Sequence, residues 1–182
     1  LITNGIIYDG SGNKSRNGVV AIQSDKIAYV GATKKFTAKR IIDANGMAIS
    51  PGFINMLSWG YNSLLEDGRS LSDLLQGVTL EVFGEGSSPG PKGSRLNDNY
   101  ISFKDAMEKL IEKGVSTNIA SYLGAASVRI QVLGYKNRKA NNEELSDMEK
   151  IVDEAMQHGA IGIGSSLIYA PGDYADTEEL IA

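Results

Sequence analysis

Side chains that could carry out catalysis are scarce in this chain of 182 residues. It contains no cysteine and a single histidine, His158. The lack of cysteine excludes disulfides, thiolate zinc sites and cysteine nucleophiles within this segment. One imidazole cannot build a histidine-rich zinc site alone. His158 ends a predicted helix, where its charge would interact with the helix dipole. Because it lies at the opposite end of the following strand from the candidate residues, the sequence predicts no Ser-His-Asp triad.

The remaining candidates lie in segments that follow predicted β-strands. In α/β folds the loops after the strands carry the site, so polar side chains there are the ones to consider. They are Glu85 after the second strand, Arg129 after the third, and Ser165, Ser166 and Tyr169 after the fourth. We therefore expect this segment to supply binding groups and no complete set of catalytic residues.

Each of these side chains has a functional and a structural interpretation. Glu85 is either a solvated carboxylate or an oxygen ligand for a cation. Ser165, Ser166 and Tyr169 either bind a substrate carboxylate or amide, or cap and pack their own loop. Arg129 either holds a substrate carboxylate in a bidentate manner or forms a structural ion pair. The sequence leaves these alternatives open.

Two other features are assigned structural roles. Gly84, Gly86 and Gly90 could suggest a loop that cradles an anion, but no Gly-Lys-Ser or Gly-Lys-Thr follows them. The sequence therefore argues against a phosphate site. Glu81 lies within the predicted second strand and is expected to be structural.

The bulk composition limits the possible partners. The chain is 42% hydrophobic and 22% charged, with a formal net charge of −4, which are ordinary values for a globular protein. Without a run of Lys and Arg, nucleic acid is not expected as a partner. No apolar stretch reaches the ~20 residues that span a bilayer. The chain opens without Met or a leader, so both the cytoplasm and export after signal removal stay open.

The first 50 residues are predicted to form a small antiparallel β module. Strands are expected over residues 1–8, 19–22, 26–30 and 40–43. Residues 23–25 suit a hairpin turn, and Asn45-Gly46 suits another tight turn. The module is too short to close a core alone, so we expect a further part of the protein to complete it.

From residue 51 onward strands and helices alternate. Strands are predicted over residues 53–57, 78–83, 115–123 and 160–164, and helices after Ser70, from Ser102 to Gly114, over residues 143–158 and from Thr177. Repeated β-then-α units favour a parallel sheet, which could be doubly wound or an eight-fold barrel. A complete barrel needs about 250 residues, so we expect an incomplete domain.

Three motifs in this frame resemble a known family. Residues 47–54, Met-Ala-Ile-Ser-Pro-Gly-Phe-Ile, are similar to the entry pattern of the amidohydrolase superfamily. Residues 76–79, Gln-Gly-Val-Thr, are similar to its Gly-Val-Thr-Thr. Residues 159–180 resemble the fourth-strand signature of N-acyl-D-amino-acid deacylases, and this long match is the most specific. The resemblance implies a small β-sandwich module, with residues 1–50 as its N-terminal part, and a (β/α)8 TIM-type barrel, with residues 51–182 as its first four β/α units.

The chain departs from the family at the metal site. The His-x-His pair of the family corresponds to Leu57 and Trp59, which cannot ligate a cation and are expected to fill the space of a first metal. The metal-binding Cys of the deacylases falls in a turn that reads Gly-Glu-Gly here, where Glu85 is the adjacent ligand candidate. The Gly-His after the third strand is Gly-Ala here, ending in Ala125. Any further histidine ligands would lie beyond residue 182.

The resemblance implies a zinc-dependent hydrolase of N-acyl-D-amino acids or related amides. Zinc would activate water and polarise the acyl carbonyl, with Glu85 as the ligand from this segment. The substrate would be a small molecule, and activity would require the remainder of the chain. One alternative is a metal-free relative that acts as a binding or scaffold protein. Another is opening of cyclic amides, which the missing His-x-His disfavours.

Overall fold

The computed structural model describes residues 1–93 and 98–182. Contacts between Cα atoms divide the chain into two units, Leu1–Gly52 and Phe53–Ala182. The first unit is built from strands, and the second mixes strands and helices. None of the helices in the described ranges is long and apolar enough to cross a membrane.

The first unit is a five-stranded sheet arranged around its first strand. Its strands are β1 (Ile2–Ile7), β2 (Arg16–Gln23), β3 (Lys26–Gly31), β4 (Ile42–Asp43) and β5 (Ala48–Ile49). β1 pairs antiparallel with β2 and parallel with β4 and β5. The prediction of a purely antiparallel module is therefore wrong. Strand patterns in a sequence locate strands but do not determine the direction of their neighbours.

The turns of this unit form where the sequence predicts them. β2 and β3 pair antiparallel as a hairpin, with Ser24 in the turn at a φ of 57°. Asn45 and Gly46 turn the chain before β5 with φ angles of 47° and 79°. Gly and Asn tolerate this left-handed backbone conformation, which explains why the second turn occurs at this pair.

The second unit is built on parallel strands. β6 (Phe53–Asn55), β7 (Val78–Phe83) and β8 (Asn118–Ser121) form one sheet, and β9 (Leu123–Gly124) pairs with β10 (Ile163–Gly164). The predicted third strand is divided at Tyr122, where the chain changes its hydrogen-bond partner. The backbone N–H of Tyr122 donates to Phe83 at 2.9 Å, whereas that of Leu123 donates to Gly162 at 2.9 Å. The predicted fourth strand is shorter than expected.

Six α-helices lie within the described part of this unit, and all but the last precede a further strand. They are α1 (Tyr61–Glu66), α2 (Leu71–Leu74), α3 (Phe103–Lys113), α4 (Ala125–Leu133), α5 (Asn142–Gln157) and α6 (Thr177–Ile181). α3 begins as predicted, because the Ser102 hydroxyl accepts from the backbone N–H of Asp105 at 3.0 Å and the Asp105 carboxylate accepts in return. α5 has an equivalent capping box between Asn141 and Glu144.

The sequence did not indicate α1 and α4. Gly60 precedes α1 and Gly124 precedes α4, and neither supplies a side-chain cap. α4 reads Ala-Ala-Ser-Val-Arg-Ile-Gln-Val-Leu, in which apolar residues are not confined to one face. A helix without a cap or an amphipathic stripe has no local signal, so sequence patterns alone place these two segments in loops.

The core of the second unit lies between its helices and the strands. One apolar cluster joins α3, α4 and α5 to β9 through Phe103, Leu123, Val128, Leu133, Met148, Ile151, Ala155 and Ala160. A smaller cluster packs Leu64 of α1 and Leu110 of α3 on Phe83 of β7. Burial of these side chains stabilises the frame that fixes where the strands end.

Candidate functional site at the strand ends

The turns that follow β7, β9 and β10 pack directly against one another. A Cβ atom added at Gly84 would lie 2.1 Å from the carbonyl oxygen of Tyr122, and one at Gly164 would lie 2.3 Å from that of Gly84. A Cβ at Gly124 would lie 2.5 Å from the Cα of Ser87. Such approaches require glycine at these positions. The three turns therefore form one surface at the carboxyl ends of the strands.

Glu85 lies at the tip of the turn after β7, and its side chain is exposed. The flanking Gly84 and Gly86 have φ angles of 99° and 73°, in the region that favours glycine. Among the described residues no hydrogen bond or ion pair reaches its carboxylate. The structure thus presents Glu85 as an accessible carboxylate, and its role as a metal ligand stays a prediction.

The turn after β10 contacts the turn that carries Glu85. A Cβ added at Gly86 would lie 2.8 Å from the Cβ of Ser166, so these two positions are adjacent. Ser165 and Tyr169 are exposed, with Tyr169 at 64%. Their hydroxyl groups are therefore accessible to a ligand, and the prediction that they bind substrate stays open.

Arg129 lies on α4 and not in a loop, which corrects its predicted placement. Its side chain is only 1% exposed, and Nη1 donates to the carboxylate of Glu179 on α6. Nη2 donates to the carbonyl oxygens of Lys136 at 3.2 Å and Arg138 at 2.6 Å. The guanidinium is thus engaged in the structural ion pair that the sequence left as an alternative, and it has no exposed nitrogen for a substrate.

A pocket of about 310 Å³ brings only part of the predicted set together. Arg129, Ser166 and Glu179 lie in its wall, between α4, α5 and the segment that follows β10. Most of the remaining lining is apolar, including Met148 and Val152 of α5. Glu85, Ser165 and Tyr169 do not line it, so the predicted residues divide between this pocket and the exposed turn surface.

The described residues do not assemble a metal site by themselves. They contain no group of three or more His, Cys, Asp or Glu side chains close enough to share an ion. Leu57 and Trp59 are 52% and 64% exposed. The described residues therefore do not pack around these side chains in the way expected if they filled the space of a first metal. His158 lies at the end of α5, as predicted, with Nδ1 2.7 Å from the carbonyl oxygen of Glu154. The fit to zinc is therefore limited to Glu85 as one carboxylate ligand.

A buried carboxylate close to this surface has the structural role that the sequence predicts. Glu81 of β7 is 1% exposed and accepts hydrogen bonds from the hydroxyls of Ser58 at 2.7 Å, Ser70 at 2.6 Å and Thr117 at 2.9 Å. The Ser58 hydroxyl also accepts from the backbone N–H of Gly60 at 3.1 Å, which fixes the turn after β6. The three donors come from distant segments, and no local pattern could have identified them.

Comparisons with known proteins agree with the fold described above. No protein-family model matches the chain. An N-acyl-D-aspartate deacylase from Alcaligenes xylosoxydans xylosoxydans is 28% identical over 194 residues, which cover 100% of this chain and 39% of the relative. A D-aminoacylase whose crystal structure defines a subset of amidohydrolases is 30% identical, with a TM-score of 0.88, over 99% of this chain and 41% of that protein. An N-acyl-D-glutamate deacylase from Bordetella bronchiseptica, solved with zinc and a phosphonate inhibitor, is 26% identical, with a TM-score of 0.87, over 98% of this chain and 40% of that protein.

These matches cover nearly all of this chain, which spans about 40% of the length of the curated relatives. The mixed α/β fold agrees with the N-terminal region of D-aminoacylase. Sequence motifs and fold therefore lead to the same assignment. The chain is similar over nearly its whole length to the N-terminal portion of N-acyl-D-amino-acid deacylases, and its structural neighbour D-aminoacylase is an amidohydrolase.

Proposed function

We propose that this chain is part of a zinc-dependent amidohydrolase that cleaves the amide bond of N-acyl-D-amino acids or related amides. The observation that carries the proposal is the match to D-aminoacylase over 99% of the chain at a TM-score of 0.88. Because this chain spans about 40% of its curated relatives, we further propose that the remainder of a longer polypeptide supplies the catalytic residues.

The finer architecture belongs to the same proposal. Residues 1–50 would contribute part of a β-sandwich, and residues 51–182 the first four β/α units of a (β/α)8 barrel. The parallel pairing of β6, β7 and β8, and of β9 with β10, supports four consecutive parallel strands of a barrel. In such a barrel the turns after these strands would face the active site.

Within this arrangement the exposed turn surface would serve the reaction. Glu85 would hold zinc through a carboxylate oxygen, and zinc, when bound, supplies Lewis-acid polarisation and an activated water. Ser165 and Tyr169 would hydrogen-bond the substrate from the adjacent turn. Arg129 would not contact the substrate. It would act indirectly, because its ion pair with Glu179 holds α6 against α4.

A second candidate function follows from one specific observation. Leu57 and Trp59 occupy the positions of the His-x-His pair, and neither side chain can ligate a cation. This replacement favours a relative that keeps the fold for binding or scaffolding without a metal. The accessible carboxylate of Glu85 in its glycine turn favours the enzyme.

The substitution Glu85→Gln in the full-length protein tests the metal role. We expect bound zinc, measured by elemental analysis, and turnover of N-acyl-D-amino acids to fall together. Changes in outer-shell partners of a metal already cost about 10–100-fold in affinity, so loss of a direct ligand should cost at least as much. Glu112→Gln, which changes an exposed carboxylate of α3, is the matched control. Unchanged zinc and turnover in Glu85→Gln would show that Glu85 is not a ligand, whereas a wild type that itself neither binds zinc nor turns over substrate would favour the metal-free scaffold.

The 182-residue chain alone provides a second test. We expect no turnover above a zinc-only control on a panel of N-acyl-D-amino acids, because the described residues contain neither a metal cluster nor a complete nucleophile–base pair. Measurable deacylation by this chain would show that it carries a site of its own, and would overturn the requirement for a remainder.

A further inference from the structure

The pocket of about 310 Å³ between α4, α5 and the segment after β10 is an apolar groove that the described residues leave uncovered. Ile163, Leu167 and Leu180 line it and are 52%, 45% and 45% exposed. Val152 of α5 also lines it and is half-buried. Because burial of apolar side chains stabilises a fold, a contiguous set of exposed ones marks a surface that further apolar groups cover.

The last helix of the chain ends at this groove. α6 spans Thr177–Ile181, its first turn is capped by the Asp176 side chain, and Leu180 and Ala182 line the pocket. Five residues make roughly one and a half turns, whereas helices average about 11–12 residues. In a longer helix the N–H groups of residues 183–185 would donate to the carbonyl oxygens of the last turn. α6 therefore has the features of the start of a longer helix, whose continuation would enter the groove.

The charges beside the groove are of one sign and lack partners. Glu149 and Asp153 of α5 line the pocket and are exposed, and among the described residues neither forms a hydrogen bond or an ion pair. The neighbouring Lys150 pairs with Asp147 at 2.8 Å instead. Free carboxylates beside an apolar surface suit an occupant that carries both apolar and basic side chains, as an amphipathic helix does.

We propose that the residues following Ala182 continue α6 as an amphipathic helix that occupies this groove. The inference rests on the proposed function, which makes this chain part of a longer polypeptide, since it spans about 40% of its curated relatives. A face that continues from Leu180 recurs three, four and seven residues later, at positions 183, 184 and 187. We expect apolar residues at these three positions and at least one Lys or Arg within residues 183–190. A proline within residues 183–187, or polar residues at all three positions, overturns the proposal.

Thiol accessibility in the full-length protein tests whether the groove is covered. Residues 1–182 contain no cysteine, so Ile163→Cys places the only thiol of this segment in the groove. Lys150→Cys, at a 69% exposed side chain outside the pocket lining, is the matched control. We expect iodoacetamide to label Ile163→Cys at least about tenfold more slowly than Lys150→Cys, because a covered thiol reacts only through local opening. Peptide mapping by mass spectrometry identifies the labelled site. Equal labelling rates would show an open groove and overturn the proposal.

A disulfide identifies what covers the groove. Val152→Cys is combined with a cysteine at position 183, 184 or 187, and Lys150→Cys is combined with the same positions as a control. Facing positions of packed helices can bring two Cα atoms within the roughly 4.4–6.8 Å that a disulfide requires. We expect mild oxidation to link at least one pair that contains Val152→Cys and none that contains Lys150→Cys.

The other outcomes count against the helix, and both measurements are independent of zinc and turnover. Protection of Ile163→Cys without such a disulfide would show that another part of the polypeptide covers the groove, and protection lost on dilution would show that a second copy does. Either result overturns the proposal. A covered and cross-linked groove in a protein without deacylase activity supports the helix and counts against the proposed reaction. An open groove in an active deacylase overturns only the helix.

Discussion

Two carboxylates in the second unit are buried, and they are stabilised by different kinds of partner. Glu81 on β7 is 1% exposed and accepts three hydrogen bonds from neutral hydroxyls. The side chain of Glu179 on α6 is 7% exposed and is paired with the guanidinium of Arg129, which is 1% exposed. The first carboxylate has no ion-pair partner among the described residues, whereas the second is matched by a full opposite charge.

The difference shows how each carboxylate holds its surroundings. The donors to Glu81 come from the turn after β6, from the residue before α2 and from the residue before β8, so one anion fixes three segments. The Arg129–Glu179 pair fixes two helices through residues that are 50 positions apart in the chain. Because each partner of a buried pair is an uncompensated charge without the other, the pair should be the more sensitive to a single substitution.

The largest expected effect is that of Arg129→Met. Removing the guanidinium leaves Glu179 buried without its counter-charge, and breaking a buried pair from one side costs about 3–5 kcal/mol. The free energy of unfolding in urea measures this loss. Arg138→Met, which breaks the solvent-accessible pair with Glu144, is the matched control and should change stability far less. A similar loss in both variants would show that burial does not distinguish the two pairs.

The double variant Arg129→Met/Glu179→Leu sharpens the same prediction. Replacing both partners removes the uncompensated charge, so part of the stability lost in Arg129→Met should return. A double variant that is less stable than Arg129→Met would show that Glu179 stabilises the fold through a partner other than Arg129.

Glu81→Gln should have an intermediate effect. The amide keeps one acceptor oxygen, and the hydroxyls of Ser58, Ser70 and Thr117 can rotate to accept as well as donate, so we expect a loss of about 1–3 kcal/mol. Glu85→Gln, at the exposed turn four residues later, should stay within about 0.5 kcal/mol. Urea unfolding of both variants measures the contrast. If Glu81→Gln lowers the free energy of unfolding as much as Arg129→Met does, then hydrogen bonding to neutral hydroxyls does not make the loss of a carboxylate charge less costly.

The smallest expected effect is the acid dependence of the exposed pair between Arg138 and Glu144. The hydrogen bond from Arg138, with a further one from the backbone of Asn141, lowers the pKa of Glu144 from 4.5 to about 2. A lowered pKa means that this stabilisation is present above pH 4.5 and is lost as the pH falls toward 2. Thermal unfolding of the wild type and Glu144→Gln between these pH values should therefore differ in slope, and added salt should reduce the difference. If the melting temperatures of the two proteins change equally with pH at low salt, the Arg138–Glu144 pair does not contribute to stability.

Local signals were sufficient for several elements. The residues of β7 and the cap of α3 were predicted as observed, because a short apolar run and a capping box involve residues within a few positions of one another. The motifs of residues 47–54 and 159–180 indicated the deacylases to which the comparisons find this chain similar. The chemistry of Glu85 as an exposed carboxylate in a glycine turn also followed from its immediate neighbours.

By itself, the sequence determined the resemblance to the deacylases, the order of most strands and helices, and the side chains that lie after each strand. The tertiary structure alone decided which of these groups meet. Arg129 pairs with Glu179, Glu81 accepts hydrogen bonds from three hydroxyls, and Lys92 and Asn62 line the same pocket. Caps and periodicity act within one or two turns of chain, whereas these partners are brought together by the packing of helices on strands, which no short stretch of sequence encodes.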